Sequence, residues 1–140
     1  MMDEESIARI VKEAKTIAVY GMQDEKKMDR PAYAIPAMLK ERGYEIYPVN
    51  PMIVSSLGLE AYSKLADLPI QPDILDVFRR NELIPELTDE ILALPKELRP
   101  KTVWLQTGIT HPQSEARLEV EGMNVVSDQC LGVWAARVKH

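Results

Sequence analysis

The chain has 140 residues, 46% hydrophobic and 28% charged, with a formal net charge of −5 at pH 7. That length predicts a single domain, 1–140, able to bury a core without disulfides or metals. The acidic balance excludes general nucleic-acid binding, which needs a basic face, and the lone Cys130 excludes an intramolecular disulfide.

The opening Met1-Met2-Asp3-Glu4-Glu5 has no apolar h-region, so it does not read as a signal peptide. No apolar run approaches the roughly 20 residues of a membrane helix. A soluble, cytoplasmic protein is expected. In chain order, Ile7, Ile10, Val11 and Ala14 recur at helical spacing behind an acidic first turn, predicting an amphipathic helix over 3–14. A β-branched strand over 16–20 follows and stops at Gly21. The polar stretch 22–30 has neither strand nor helix period. The helix after Pro31 should end at Gly43, with Pro36 among its first residues, where a missing N–H costs nothing.

The next strand is expected over 44–49, closed by Asn50-Pro51, then a loop over 52–62 and a short helix near Ser63–Leu68. Residues 73–78 are nearly continuous apolar, as in a strand covered on both faces. Asn81 is placed to cap a helix running through Leu83, Leu87, Ile91 and Leu94. A strand over 102–105, a helix over 112–121, a strand over 124–126 and an end helix over 131–138 complete the chain. This β-α alternation with short connections predicts an α/β, Rossmann-like, doubly wound parallel sheet of about five strands with helices on both faces.

Ligands of such sheets sit at the carboxyl ends of the strands, where the strand order reverses. Those ends carry Gly21-Met22, Val49-Asn50-Pro51, Phe78-Arg79-Arg80, Gln106-Thr107-Gly108 and Asp128-Gln129-Cys130. The first loop adds Lys26, Lys27 and Arg30, and the helix entry at Pro31 adds a dipole suited to phosphate. A dinucleotide loop wants G-x-G-x-x-G and an acid ending the second strand. Here only Gly21 is present, with Asn50 at the acid's place. No P-loop occurs. Separate phosphates and a long tail, the parts of coenzyme A, suit a basic loop with an arginine at a neighbouring strand end.

Ile17-Ala18-Val19-Tyr20-Gly21 with Asp29-Arg30-Pro31, Pro48-Val49-Asn50-Pro51, Asp73 through Arg79, Val103 through Ile109, and Asp128-Gln129-Cys130 together resemble the small stand-alone CoA-binding proteins. These are similar to the N-terminal CoA-binding domain of the succinyl-CoA synthetase α subunit. The resemblance covers roughly residues 10 to 135. It implies that Gly21 and Met22 lie under the pyrophosphate and that Lys26, Lys27 and Arg30 meet phosphate. Val49, Asn50 and Pro51 would lie beside the adenosine. Val77, Phe78 and Arg79 form the third strand end, and Gln106, Thr107 and Gly108 the pantetheine side. Ala32 and Gln129 depart from the family's usual Ser and Arg.

The function this implies is non-covalent binding of coenzyme A or acyl-CoA without catalysis. The alternatives are an NAD(P)-linked oxidoreductase, or a scaffold or regulatory module that has lost its ligand. The sequence names no protein partner. Bland readings stand beside the site residues. Asn50 can bond its own turn, and Arg30 can pair with Asp29 or Asp73. Arg80 faces water. Cys130 is a small hydrophobe or a thiol near that of CoA. His111 enters a helix, and with only His140 besides, no metal cluster is expected. Asp73 and Asp76 do not read as a catalytic pair.

Overall fold

The computed structural model describes residues 2–138. His140 lies outside the described residues. In chain order the elements are α1 (Glu4–Glu13), β1 (Thr16–Tyr20), α2 (Pro31–Glu41), β2 (Glu45–Val49), β3 (Ser55–Ser56), β4 (Leu59–Glu60), β5 (Ile74–Val77), α3 (Ile84–Leu92), β6 (Thr102–Leu105), α4 (Pro112–Val120), β7 (Asn124–Val126) and α5 (Leu131–Val138). Five strands form one parallel sheet in the order β2-β1-β5-β6-β7. The chain steps from β1 outward to β2, then returns to β5 on the other side of β1. The order therefore reverses between β1 and β5, and a doubly wound sheet opens its crevice there.

Alternation along the strands divides the core. Ile17, Val19, Ile74 and Trp104 pack with Ile7, Val11, Leu39, Leu131 and Trp134, from α1, α2 and α5. Ala18, Leu75, Val77, Val103 and Leu105 pack with Ile84, Leu87, Ile91 and Leu118, from α3 and α4. The central strands β5 and β6 are buried at every position, while the edge strand β2 exposes Glu45. No helix among the described residues is long and apolar enough to cross a membrane.

The helix ends follow local chemistry. Asp3 Oδ1 accepts the Ser6 N–H at 2.8 Å and caps α1. His111 enters α4: its Nδ1 accepts the Ser114 N–H, and its own N–H donates to Glu115 Oε2 at 2.8 Å, a reciprocal capping pair.

Three expectations change. The 52–62 segment holds the hairpin β3–β4, whose turn places Leu57 and Gly58 at positive φ; strands of two residues leave no period to read. Asn81 does not cap α3. It opens a 3-10 turn, Asn81–Leu83, and its Oδ1 accepts the Thr110 N–H instead. Finally, α2 begins at Pro31, so Pro36 lies inside it. A proline there frees the carbonyl one turn back, that of Ala32. This carbonyl accepts the Gln23 N–H at 3.1 Å from the loop after β1. The proline is tolerated because the orphaned acceptor has a tertiary donor.

Candidate functional site

At the reversal point β1 ends in Tyr20, and Gly21 takes φ +83°. A Cβ here would run into the Phe78 carbonyl oxygen at the end of β5. Only glycine brings the two strand ends this close. The Gly21 N–H donates to the Val49 carbonyl at 2.8 Å, joining this turn to the end of β2.

The loop that follows is tethered at successive residues. Asn50 Nδ2 donates to the Met22 carbonyl at 2.9 Å, and Asn50 Oδ1 accepts the Met52 N–H at 2.9 Å. Ser56 Oγ donates to the Gln23 carbonyl at 2.7 Å. Asp24 caps the 3-10 turn Glu25–Lys27 through the Lys26 N–H. Glu25 Oε2 accepts both the Leu57 N–H and the Tyr33 hydroxyl, and the Leu57 bond foremost holds its carboxyl below the usual range. Polar side chains from β2 and the hairpin thus fix the direction in which Lys26 and Lys27 leave the turn.

The other wall is built by α3. Glu90 Oε1 accepts the Tyr20 hydroxyl at 3.0 Å and Oε2 accepts the Leu65 N–H at 2.9 Å. Burial first, and then the Glu90 charge, push the Tyr20 phenol up to about 12. Arg79 lies over the Tyr20 ring, 5.9 Å from its centroid, and has no carboxylate partner among the described residues. Arg80 faces solvent and pairs with Glu82 at 3.2 Å.

Between these walls is a cleft of about 890 Å³. It gathers Gly21, Lys26, Lys27, Val49, Asn50, Pro51, Phe78 and Arg79 from the sequence-predicted set. A shallower hollow of about 550 Å³ holds Thr107 and Gly108 and shares Phe78 and Arg79 with the cleft. The two form one path along the carboxyl edge of the sheet. A separate hollow of about 620 Å³ beside β7 is lined by Glu4, Glu115 and Glu119, and its one cation among the described residues, Arg137, is paired with Glu4. It offers no site to an anion.

Four predicted residues fall elsewhere. The side chains of Met22 and Val77 are fully buried, one in each core; the pleat of β5 turns Val77 inward, and Met22 packs into the other core from the loop just after Gly21. Gln106 is also buried and donates from Nε2 to Asp76 Oδ1 at 2.6 Å. Arg30 is the exposed N-cap of α2 and does not line the cleft. No residue of the first turn of α2 lines it either. The Tyr33 and Ala34 N–H groups both turn to the Arg30 carbonyl at 2.9 Å. Cations and strand ends, rather than a helix dipole, therefore dominate this cleft. Nor does Arg30 pair with Asp73, whose partner is Lys101 Nζ at 3.3 Å.

Residues the sequence did not single out complete the walls: Tyr20, Gln23, Met52, Ile53, Lys64 and Glu90. Lys64 is the most consequential, as a fourth cation. It carries no sequence signal because it lies between a two-residue hairpin strand and a three-residue 3-10 turn, Leu65–Asp67. The Asp128-Gln129-Cys130 turn is structural in its visible bonds. Asp128 Oδ1 accepts the Gly108 N–H at 2.7 Å, and the Gln129 carbonyl accepts the Trp104 indole N–H at 2.9 Å.

A model of the CoA binding domain family matches residues 15–136. The uncharacterized protein YneT of Bacillus subtilis (strain 168) is 35% identical over 133 residues, covering 95% of this chain and 94% of that one. The structure of cell-free ID.343 from Thermus thermophilus superposes with a TM-score of 0.88 at 41% identity, over 98% of this chain and 99% of that one. The Ca. Korarchaeum cryptofilum dinucleotide-forming acetyl-coenzyme A synthetase 1 shares the fold, with a TM-score of 0.69 at 20% identity over 87% of this chain and 28% of that one. From the start of β1 to the last helix, this chain belongs to the CoA-binding domain family.

Proposed function

We propose that this protein binds coenzyme A or an acyl-CoA non-covalently in the cleft between β1, β2 and β5, and carries out no chemistry of its own. One observation supports this most. In a chain of net charge −5, the cleft is lined by Lys26, Lys27, Lys64 and Arg79, and its two acids are engaged elsewhere. Asp24 caps a turn, and both Glu90 oxygens hold protein donors. What remains is a cationic trough open to a polyanion. Val49, Pro51, Met52 and Ile53 supply an apolar flank for a base. The path past Phe78 and Arg79 to Thr107 and Gly108 gives room for an extended arm.

The nicotinamide alternative lacks a carboxylate for a ribose diol at the end of β2. Asn50 stands there, and its amide is committed on both sides to Met22 and Met52. Isothermal titration of the purified protein with CoA, acetyl-CoA, NAD and ADP tests the reading. Binding of CoA with weak ADP and no NAD is expected. A response to NAD and none to CoA overturns it. Arg79→Ala, and Lys26→Ala with Lys27→Ala, should each weaken CoA binding about three- to tenfold.

A further inference from the structure

We propose that Lys64, with the Ser63 hydroxyl beside it, determines specificity in this cleft by reading a second phosphate on the nucleotide ribose, apart from the diphosphate. The inference rests on the coenzyme A reading and deepens it. Coenzyme A carries a ribose 3′-phosphate that dephospho-CoA, ADP and NAD lack.

The placement of Lys64 carries the idea. Tyr62 continues the sheet beyond β2: its N–H donates to the Pro48 carbonyl at 2.9 Å, and its carbonyl accepts the Asn50 N–H at 2.9 Å. Ser63 and Lys64 therefore emerge beside Asn50 and Pro51, at the end of the cleft assigned to adenosine. The Leu65 N–H is then clamped by Glu90, which fixes where the Lys64 backbone sits. Arg79 enters from the opposite side of Gly21, at the end of β5. Tyr62 lies outside β2, and β1 lies between β2 and β5, so the chain at Tyr62, just before Lys64, and the end of β5 at Arg79 are three strand spacings apart, roughly 14 Å. That separation is wider than one diphosphate. Lys26 and Lys27 line the same cleft from the 3-10 turn in the loop after β1.

The cations thus form two groups. Arg79 follows Phe78, whose carbonyl lies against Gly21, and Lys26 and Lys27 belong to the loop that Gly21 opens, where a diphosphate is expected. Lys64 stands alone at the adenosine end, exposed and without a carboxylate partner among the described residues. The one acid on its wall, Glu90, accepts from Tyr20 and Leu65 with both oxygens. A lysine so placed is a point charge with a long stem and three donors, suited to a terminal phosphate.

The test is titration of CoA and dephospho-CoA into wild type, Lys64→Ala and the Lys26→Ala/Lys27→Ala double variant. Wild type should bind CoA about tenfold more tightly than dephospho-CoA, and Lys64→Ala should narrow that ratio to about twofold through loss of CoA affinity alone. The double variant should weaken both ligands and keep the ratio. An unchanged ratio in Lys64→Ala overturns the inference, as does equal binding of the two ligands by wild type; in both cases the coenzyme A reading stands. Failure of wild type to bind either ligand removes the reading and the inference together.

Discussion

Two aspartates three residues apart on one stretch of chain meet opposite fates. Asp73 lies at the amino end of β5, away from the cleft. Its Oδ2 accepts the Lys15 and Thr16 N–H groups at 2.8 and 3.1 Å, and its Oδ1 meets Lys101. Burial pushes its carboxyl up, but these donors outweigh that and leave it below its ordinary value. Asp76 lies near the carboxyl end of the same strand, between Val19 and Trp104, and is fully buried. Its Oδ1 has Gln106, and its Oδ2 has no partner among the described residues. Burial, only partly offset by Gln106, raises it to about 7. At the amino end of the sheet a carboxylate closes the fold. At the carboxyl end, one layer below the cleft, a buried polar group is left half satisfied.

The largest predicted effect tests Asp76 itself. Its carboxyl is raised from an ordinary 3.8 to about 7 in the folded protein, so the stability it contributes is complete below about pH 4 and is lost as pH rises through 7. At pH 8 the loss should reach about 4 kcal/mol, since each pH unit between the unfolded and folded values is worth roughly 1.4 kcal/mol. Asp76→Asn removes the ionisation and keeps the acceptor for Gln106. Urea denaturation of both proteins from pH 4 to 8 should show the variant pulling ahead of wild type as pH rises. Parallel curves would mean that Asp76 is not held neutral by the fold.

Gly21 sharpens the same contrast, since it belongs wholly to the cleft end. Gly21→Ala must fit a Cβ against the Phe78 carbonyl at positive φ. A cost of about 2–3 kcal/mol is expected, from strain and displacement of the β5 end. CoA binding should fall with it, because the separation of the strand ends shapes the trough. Thermal denaturation together with titration reads both; a variant with unchanged melting and affinity would show that the close approach is dispensable.

Asp73→Ala should cost about 1–3 kcal/mol at neutral pH by stranding the Lys15 and Thr16 donors. The sign opposes that of Asp76. Stability from a lowered carboxyl is present above its ordinary value and disappears as pH falls through the folded one. The difference between wild type and Asp73→Ala should therefore shrink below about pH 4. A difference that persists in acid would assign the effect to packing.

The same division explains what could be read from sequence. Strands β1, β6 and β7 lie at their expected residues because apolar, β-branched runs between turn residues have no competing reading. Gly21, Lys26, Lys27 and Arg79 are legible as cleft residues because a parallel sheet gathers its strand ends at one edge. Lys64 is not, because a bond between Leu65 and Glu90, 25 residues apart, holds its wall in place. Gln106 misleads for a related reason: at a strand end a polar residue faces either the ligand or a buried partner, and Asp76 is the partner.

Pro36 gives the smallest and most discriminating prediction. In an ordinary helix interior, replacing proline by alanine restores a backbone bond and stabilises by about 3 kcal/mol. Here the restored N–H would point at the Ala32 carbonyl, which already accepts from Gln23. The two donors would share one acceptor, and the gain in α2 would be offset by a looser loop after β1. Pro36→Ala should therefore change stability by less than about 1 kcal/mol. Protection of the Gln23 amide against hydrogen exchange should fall, since its bond is now contested, while Lys26 and Lys27 lose part of their fixed direction. If Gln23 protection is retained and the protein gains the full helical increment, the loop is held by Asn50, Ser56 and Glu25 alone. The proline would then be an incidental guest in α2 rather than the residue that frees the Ala32 carbonyl for the loop after β1.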